Sequence, residues 1–334
     1  MIDGQKPIAR LIYQGKDIWG AIEADVISLT FTDNLEAKAD EIQLELKNES
    51  GKWLDAWFPE LNDKLQGFLG YRGGKMLDMG TFFLDQPNAH GSRQGDLFTL
   101  RGQSKPVDKS LKTKKTTPYE NQSHKQVAQK VLSDAGLNMI GEPPQLSFAR
   151  ITQRREFDLE FLARMASDYG CFFAIKGGNA IYANRDDLIA QSPVRQIVKG
   201  SRDIMTYSLK HEADKTYSKA KASYFDGNAK KNIEVEVEDK EIKTGDKLRV
   251  DDRVESEGHA RKLAASKLQK SNMNAWTGSF ELVGDPSCQA GQTVSLSGFG
   301  RWDRKYIIKS ARHHLARGGY STAIEVADAR KSAA

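Results

Sequence analysis

The stretch Glu41-Ile-Gln-Leu-Glu-Leu-Lys47 alternates strictly between apolar and polar side chains. Neighbouring side chains in a strand point to opposite faces, so this pattern fits a half-buried strand and no helix. Asn232-Ile-Glu-Val-Glu-Val-Glu238 repeats it in the last third of the chain. Around the first lie further short runs at 7–15, 26–31, 64–72, 79–85 and 96–102, with Ile27, Leu29 and Phe31 sharing one face. Gly, Asp and Asn separate them, as tight turns require. Residues 1–103 therefore read as an antiparallel barrel or sandwich, and of the two a β-barrel is expected.

Residues 201–334 return to the same grammar. Strands are expected at 203–209, 217–225, 232–238, 275–283, 292–297, 304–310 and 320–326, around one helix at 256–270 with Ala260, Leu263, Ala264 and Leu268 on one stripe. This reads as a second barrel, similar to the first in size and strand density, which suggests an internal duplication. Between the two, 104–200 reads as a linker followed by an α+β insert. Ser104-Lys-Pro-Val-Asp-Lys-Ser-Leu-Lys-Thr-Lys-Lys-Thr-Thr-Pro-Tyr119 almost lacks large apolar residues, which fits a solvated connector better than a surface for an acidic partner. Ser123 is placed to cap a helix that Gly136 stops. Phe157, Phe161, Leu162 and Met165 form the buried stripe of a second helix, and Gly177-Gly178 turns a hairpin. The fold class expected is mainly β with an α+β insert.

The 334 residues, 39% hydrophobic and 28% charged, provide core material for two or three domains. The net charge of +5 comes from 50 basic and 45 acidic residues interleaved almost everywhere. A dedicated duplex binder concentrates its basic residues on one face, so no specific nucleic acid is expected as a partner. No run of about 18 apolar residues occurs and Met1-Ile-Asp-Gly-Gln-Lys-Pro-Ile has no apolar core, so neither membrane anchoring nor a signal peptide is expected. Cys171 sits in an apolar run and Cys288 in a turn. Two cysteines are no disulfide scaffold and favour a reducing site of synthesis, with a Cys171–Cys288 pair as the alternative.

Chemistry is hard to find. His90, His124, His211, His259, His313 and His314 follow no metal-ligand spacing, and the adjacent pair His313-His314 would point to opposite faces of a strand. No phosphate loop and no GxSxG elbow is present. Glu156 with Asp158, or Asp186 with Asp187, are the carboxylate pairs a peptidoglycan-cleaving enzyme could use, but acids at such positions usually cap helices or solvate turns. Trp53-Leu-Asp-Ala-Trp-Phe58 either faces a partner or closes a barrel end. No catalytic, cofactor-binding or metal residue is nominated, and no cofactor is expected.

The ordered set of motifs resembles the late control gene D proteins of contractile-tailed phages, tail hub proteins related to the base of type VI secretion valine-glycine repeat spikes. The likeness rests on 31–46, with Asp33 and Asp40-Glu41; on Gly70-Tyr71 and 79–85; on 155–173; and on Gly284-Asp-Pro286, Ala290-Gly291, 294–300, 306–313 and Gly319-Tyr320. It spans nearly the whole chain, with one departure in Phe157, where spike-type relatives often carry a small polar residue. The resemblance implies a structural, non-enzymatic homotrimer whose two barrels per chain make a ring of six pseudo-equivalent barrels in a virion tail baseplate or tail-like particle, assembled in the bacterial cytoplasm. It also implies a tail tube protein above, other baseplate proteins around, and a spike protein below; because the chain stops at Ala334 without a spike repeat or lysozyme-like extension, that spike would be a separate protein. The other expectations kept in view are a peptidoglycan-degrading tail enzyme and a nucleic-acid-binding late-gene regulator.

Overall fold

The strands of the first third are β1 (Pro7–Tyr13), β2 (Lys16–Asp17), β3 (Val26–Asn34), β4 (Glu41–Lys47), β5 (Lys64–Tyr71), β6 (Met76–Leu84), β7 (Asn88–Ser92) and β8 (Gly95–Gln103), with a one-turn helix α1 (Trp19–Ile22) after β2. The computed structural model describes residues 6–36, 38–93, 95–104, 113–226, 230–252 and 254–332. Strict alternation decides which side chains go inward: Ile42, Leu44 and Leu46 of β4 join Leu29, Phe31 and Phe98 in one buried core. The sheet curls round this core in the order β3-β4-β8-β6-β5-β1.

The middle of the chain holds β9 (Lys115–Ser123), α2 (His124–Asp134), β10 (Asn138–Ile140), β11 (Ser147–Glu156), α3 (Asp158–Asp168), β12 (Cys171–Lys176), β13 (Asn179–Asn184) and α4 (Arg185–Ala190). Ser123 caps α2 through a reciprocal pair with Gln126, and Gly136 (φ 65°) ends it. At α3 the cap residue Phe157 has no acceptor, and Glu160 reaches back to its N–H instead (3.2 Å). Gly177 and Gly178, both with positive φ, turn β12 into β13. The linker expectation needs correction at its end. Residues 105–112 lie outside the described residues, but 115–123 form strand β9, paired with β11 and anchored by Tyr119 stacked on Phe161. Threonine and tyrosine at alternating positions outweighed the lysines there.

The last third contains β14 (Arg195–Val198), β15 (Ile204–His211), β16 (Tyr217–Asp226), β17 (Lys231–Glu238), β18 (Asp246–Val250), α5 (Glu257–Ala275), β19 (Trp276–Val283), β20 (Thr293–Ser297), β21 (Lys305–Ala316) and β22 (Gly319–Asp328). Strands β14, β15 and β19–β22 surround a second core of Phe280, Leu282, Tyr306, Ile308, Ile324 and Val326. Strands β16–β18, read from sequence as members of that barrel, form a separate three-stranded sheet. Their inward Ala220, Ala222, Val235 and Val237 pack on the α5 stripe of Ala260, Leu263, Ala264 and Leu268. The helix supplies the cover the sheet needs, so the two make their own core. Among the described residues no helix is long and apolar enough to cross a membrane.

Candidate assembly surface

The two curled halves are not separate sheets. Hydrogen bonds run without a break through β15-β19-β22-β21-β3-β4-β8, and β7 adds to β8 as an eighth strand, every neighbour antiparallel. One face of this sheet carries both cores. The other is polar, and its registers line up across the molecule. Thr206, Glu281, Ala323, Arg312, Thr32, Glu41 and Gln103 form one continuous row. The parallel row Ser321, His314, Thr30, Gln43 and Arg101 is tied by Thr30 Oγ1 to His314 Nδ1 (2.9 Å) and by Arg101 Nε donating to Gln43 Oε1 (3.3 Å).

Strand β21 makes the join. Its first part pairs with β20 and its last part with β3, while β22 follows it throughout. A bulge at Lys309 marks the switch. The Ile308 carbonyl accepts from Gly291 N (2.9 Å), and the Lys309 carbonyl accepts from Leu35 N (2.9 Å). A bulge bends its strand and increases the local twist, which lets one strand serve two curled sheets. The halves also meet where the Tyr71 hydroxyl donates to the Gly284 carbonyl (2.9 Å). A side chain at Gly284 would collide with the Tyr320 ring, so only glycine allows that approach.

A buried polar clasp holds three parts of the chain together at this join. The Lys176 ammonium on β12 bridges Asp33 of β3 and Asp40, the latter at 2.9 Å. Asp33 also accepts from Ala290 N (2.8 Å), and Asp40 from Asn34 N (2.8 Å). Ser104 adds a link, accepting from Asp40 N (2.9 Å) and donating to the Ile175 carbonyl (2.6 Å). Burial pushes the Asp40 carboxyl up to about 6; Lys176 opposes that rise and Asp33 adds to it. Asp33 and Asp40 carried the sequence resemblance, but nothing in the sequence pointed to Lys176 or Lys309.

The two ends of the eight-strand sheet are its most exposed strands. Among the described residues β15 is paired only with β19, and its Met205 and Tyr207 lie open to solvent although Tyr207 shares the core side with Phe280 and Phe299. β7 is exposed at all five residues, and among the described residues the strand it pairs with is β8. Sequence reading missed β7 because Asn88-Ala-His-Gly-Ser92 lacks any apolar alternation.

The carboxylates Glu156, Asp158 and Asp186 have structural partners. Asp158 is buried against Lys115 (2.6 Å) and Gln153 (2.9 Å), and Glu156 pairs with Arg164 (3.1 Å). Asp186 accepts from Gln269 (2.7 Å) and Ser332 N (2.9 Å). His313 points into the core, bonded to the Tyr320 hydroxyl (2.7 Å) and the Cys288 carbonyl (3.0 Å), while His314 lies on the polar face. Cys171 and Cys288 are buried free thiols, pushed by burial up to about 11 and about 12. Trp53 is buried and stacked on Phe98, while Trp57 packs edge-on against it at the surface. Among the described residues no cluster of three His, Cys, Asp or Glu side chains could hold a metal.

A family model described as the Alg8 N-terminal domain matches residues 91–317, more than half of the chain. The chain belongs to the Alg8 N-terminal domain family. This Alg8 N-terminal domain chain is also similar to a protein of Escherichia phage 186 described as "Probable baseplate hub protein", 24% identical over 201 residues, covering 59% of this chain and 50% of that protein. A phage P2 protein of the same description matches at 24% over 178 residues, 53% of this chain and 45% of its own length. The chain thus spans about half the length of the curated relatives it matches. In fold it resembles the 43 kDa tail protein of prophage MuSo2 from Shewanella oneidensis, with a TM-score of 0.71 at 17% identity, covering 97% of this chain and 99% of that one. It also resembles the E. coli c3393 protein, a type VI secretion component, with a TM-score of 0.56 at 13% identity, covering 90% and 73%. The likeness to phage tail hubs and their type VI counterparts read from the sequence holds for these relatives, and the fold is mainly β.

Proposed function

We propose that the chain is the structural hub of a contractile tail baseplate or tail-like injection particle, and that it performs no catalysis. The observation that carries this is the eight-strand antiparallel sheet with an exposed strand at each end. An even number of alternating strands leaves the last strand of one copy antiparallel to the first strand of the next. Head-to-tail joining of β7 to β15 therefore continues the pattern. Such heterologous joining either closes a ring or grows a filament, and closure removes edges that otherwise invite aggregation. Three copies would give six curled halves, one per subunit of a hexameric tube above, while threefold symmetry suits a trimeric spike below.

The side of the sheet without a core behind it would face the central opening. Its Thr, Ser, Gln and paired Glu and Arg side chains make a wetted wall. In this reading 1–103 and 201–334, the latter joined by β14, supply the two ring units, the rest of 104–200 packs outside them with the β16–β18 sheet, and the particle is the virion tail. Mass photometry of the purified chain tests this: trimers support it, and monomers or dimers across the accessible concentration range refute it.

A further inference from the structure

The two ends of the sheet carry matching apolar patches on the same side of it. At the β7 end, the loop after β4 exposes Leu54, Trp57, Phe58 and Leu61, the last 62% exposed. It is fixed beneath that end because Phe58 packs edge-on against Phe98, whose Cα partner on β7 is Ala89. The loop also walls an apolar cleft of about 310 Å³ with Leu44 and Leu100. At the β15 end, Tyr207 lies open on the core side, and Met205 (52% exposed), the extra residue of a bulge two positions before it, is open to solvent. The charges around the patches are opposite. Residues 49–63 hold four carboxylates and one lysine, whereas 194–212 hold four cations and two carboxylates.

We propose that the occupant of the Leu54–Leu61 patch is the β15 edge of a second copy of this chain. Met205 and Tyr207 pack on Leu54, Trp57 and Phe58, and Lys199 and Arg202 face Asp55 and Glu60. Burying aromatic and methionine side chains behind a polar rim is how stable interfaces concentrate their energy. This inference rests on the ring reading but adds a claim that reading does not need, namely which side chains make the seam.

A chain carrying both Leu54→Cys and Met205→Cys tests it. The native cysteines are buried, and the two new ones lie at opposite ends of the sheet. Mild oxidation should give covalent dimers and trimers on a non-reducing gel, with neither single variant doing so. Independently, Asp55→Lys with Glu60→Lys should raise the concentration for half-assembly by about tenfold, and adding Lys199→Glu with Arg202→Glu should restore it. Trimers that give no covalent ladder and no charge-swap rescue overturn the seam and leave the ring standing. An unmodified chain that never assembles overturns both.

Discussion

Lys176 carries more of this fold than its position suggests, because its one positive charge bridges two carboxylates from a different part of the chain. Asp33 and Asp40 are each less than 5% exposed, and without the ammonium they would remain as buried, unpaired charges. Replacing one partner of a buried ion cluster leaves the desolvation cost unopposed. Lys176→Met is expected to cost about 3 kcal/mol in urea unfolding, and a loss below 1 kcal/mol would contradict the clasp. A second residue governs acid stability. His124 is fully buried with neither ring nitrogen hydrogen-bonded, packed against Phe148 and Tyr182, and burial pushes its titration down to about 4. The unfolded chain therefore takes up this proton first as pH falls. Its stability contribution is full above the ordinary histidine value and is lost as pH drops toward 4. His124→Phe should remove roughly 3 kcal/mol of acid sensitivity between pH 6.5 and 4 relative to the unmodified chain. Parallel pH–stability curves for the two proteins would contradict this.

At the scale of elements, β21 decides whether the two halves behave as one body. Deleting Lys309 keeps Ile308 inward and Ser310 outward, because the bulge is one extra residue opposite β22. The deletion removes the bend between the two partner strands and the carbonyl that receives Leu35 N–H. We expect calorimetry to show two separated unfolding transitions where the unmodified chain shows one; a single transition at the same temperature would contradict the role given to the bulge. Most individual elements were legible in the sequence, since β4 declares its inward face by alternation and α2 its start by Ser123. How the strands are shared among sheets was not. The alternation of β17 states that one face is buried, not that α5 rather than the second core buries it. The Lys309 bulge breaks a period that looks continuous along 304–310, and β7 pairs with β8 without an apolar face that would announce it. Asp33 and Asp40 were visible as part of a motif, while their partner lies more than a hundred residues away and has no local signature.

At the scale of the molecule, one side of a continuous sheet is covered by two cores and the other is polar, with two end strands that have an unused edge. Long unprotected edges promote aggregation unless something covers them, and in the proposed ring another copy of the chain would be the cover that continues the existing pattern. Joining end to end predicts closure rather than growth only if the curvature of one copy completes a third of a turn. Negative-stain electron microscopy of the purified chain measures that directly. The account predicts class averages of a closed annulus with six lobes and a central opening. Isolated two-lobed particles, or open fibres of joined copies, would contradict it.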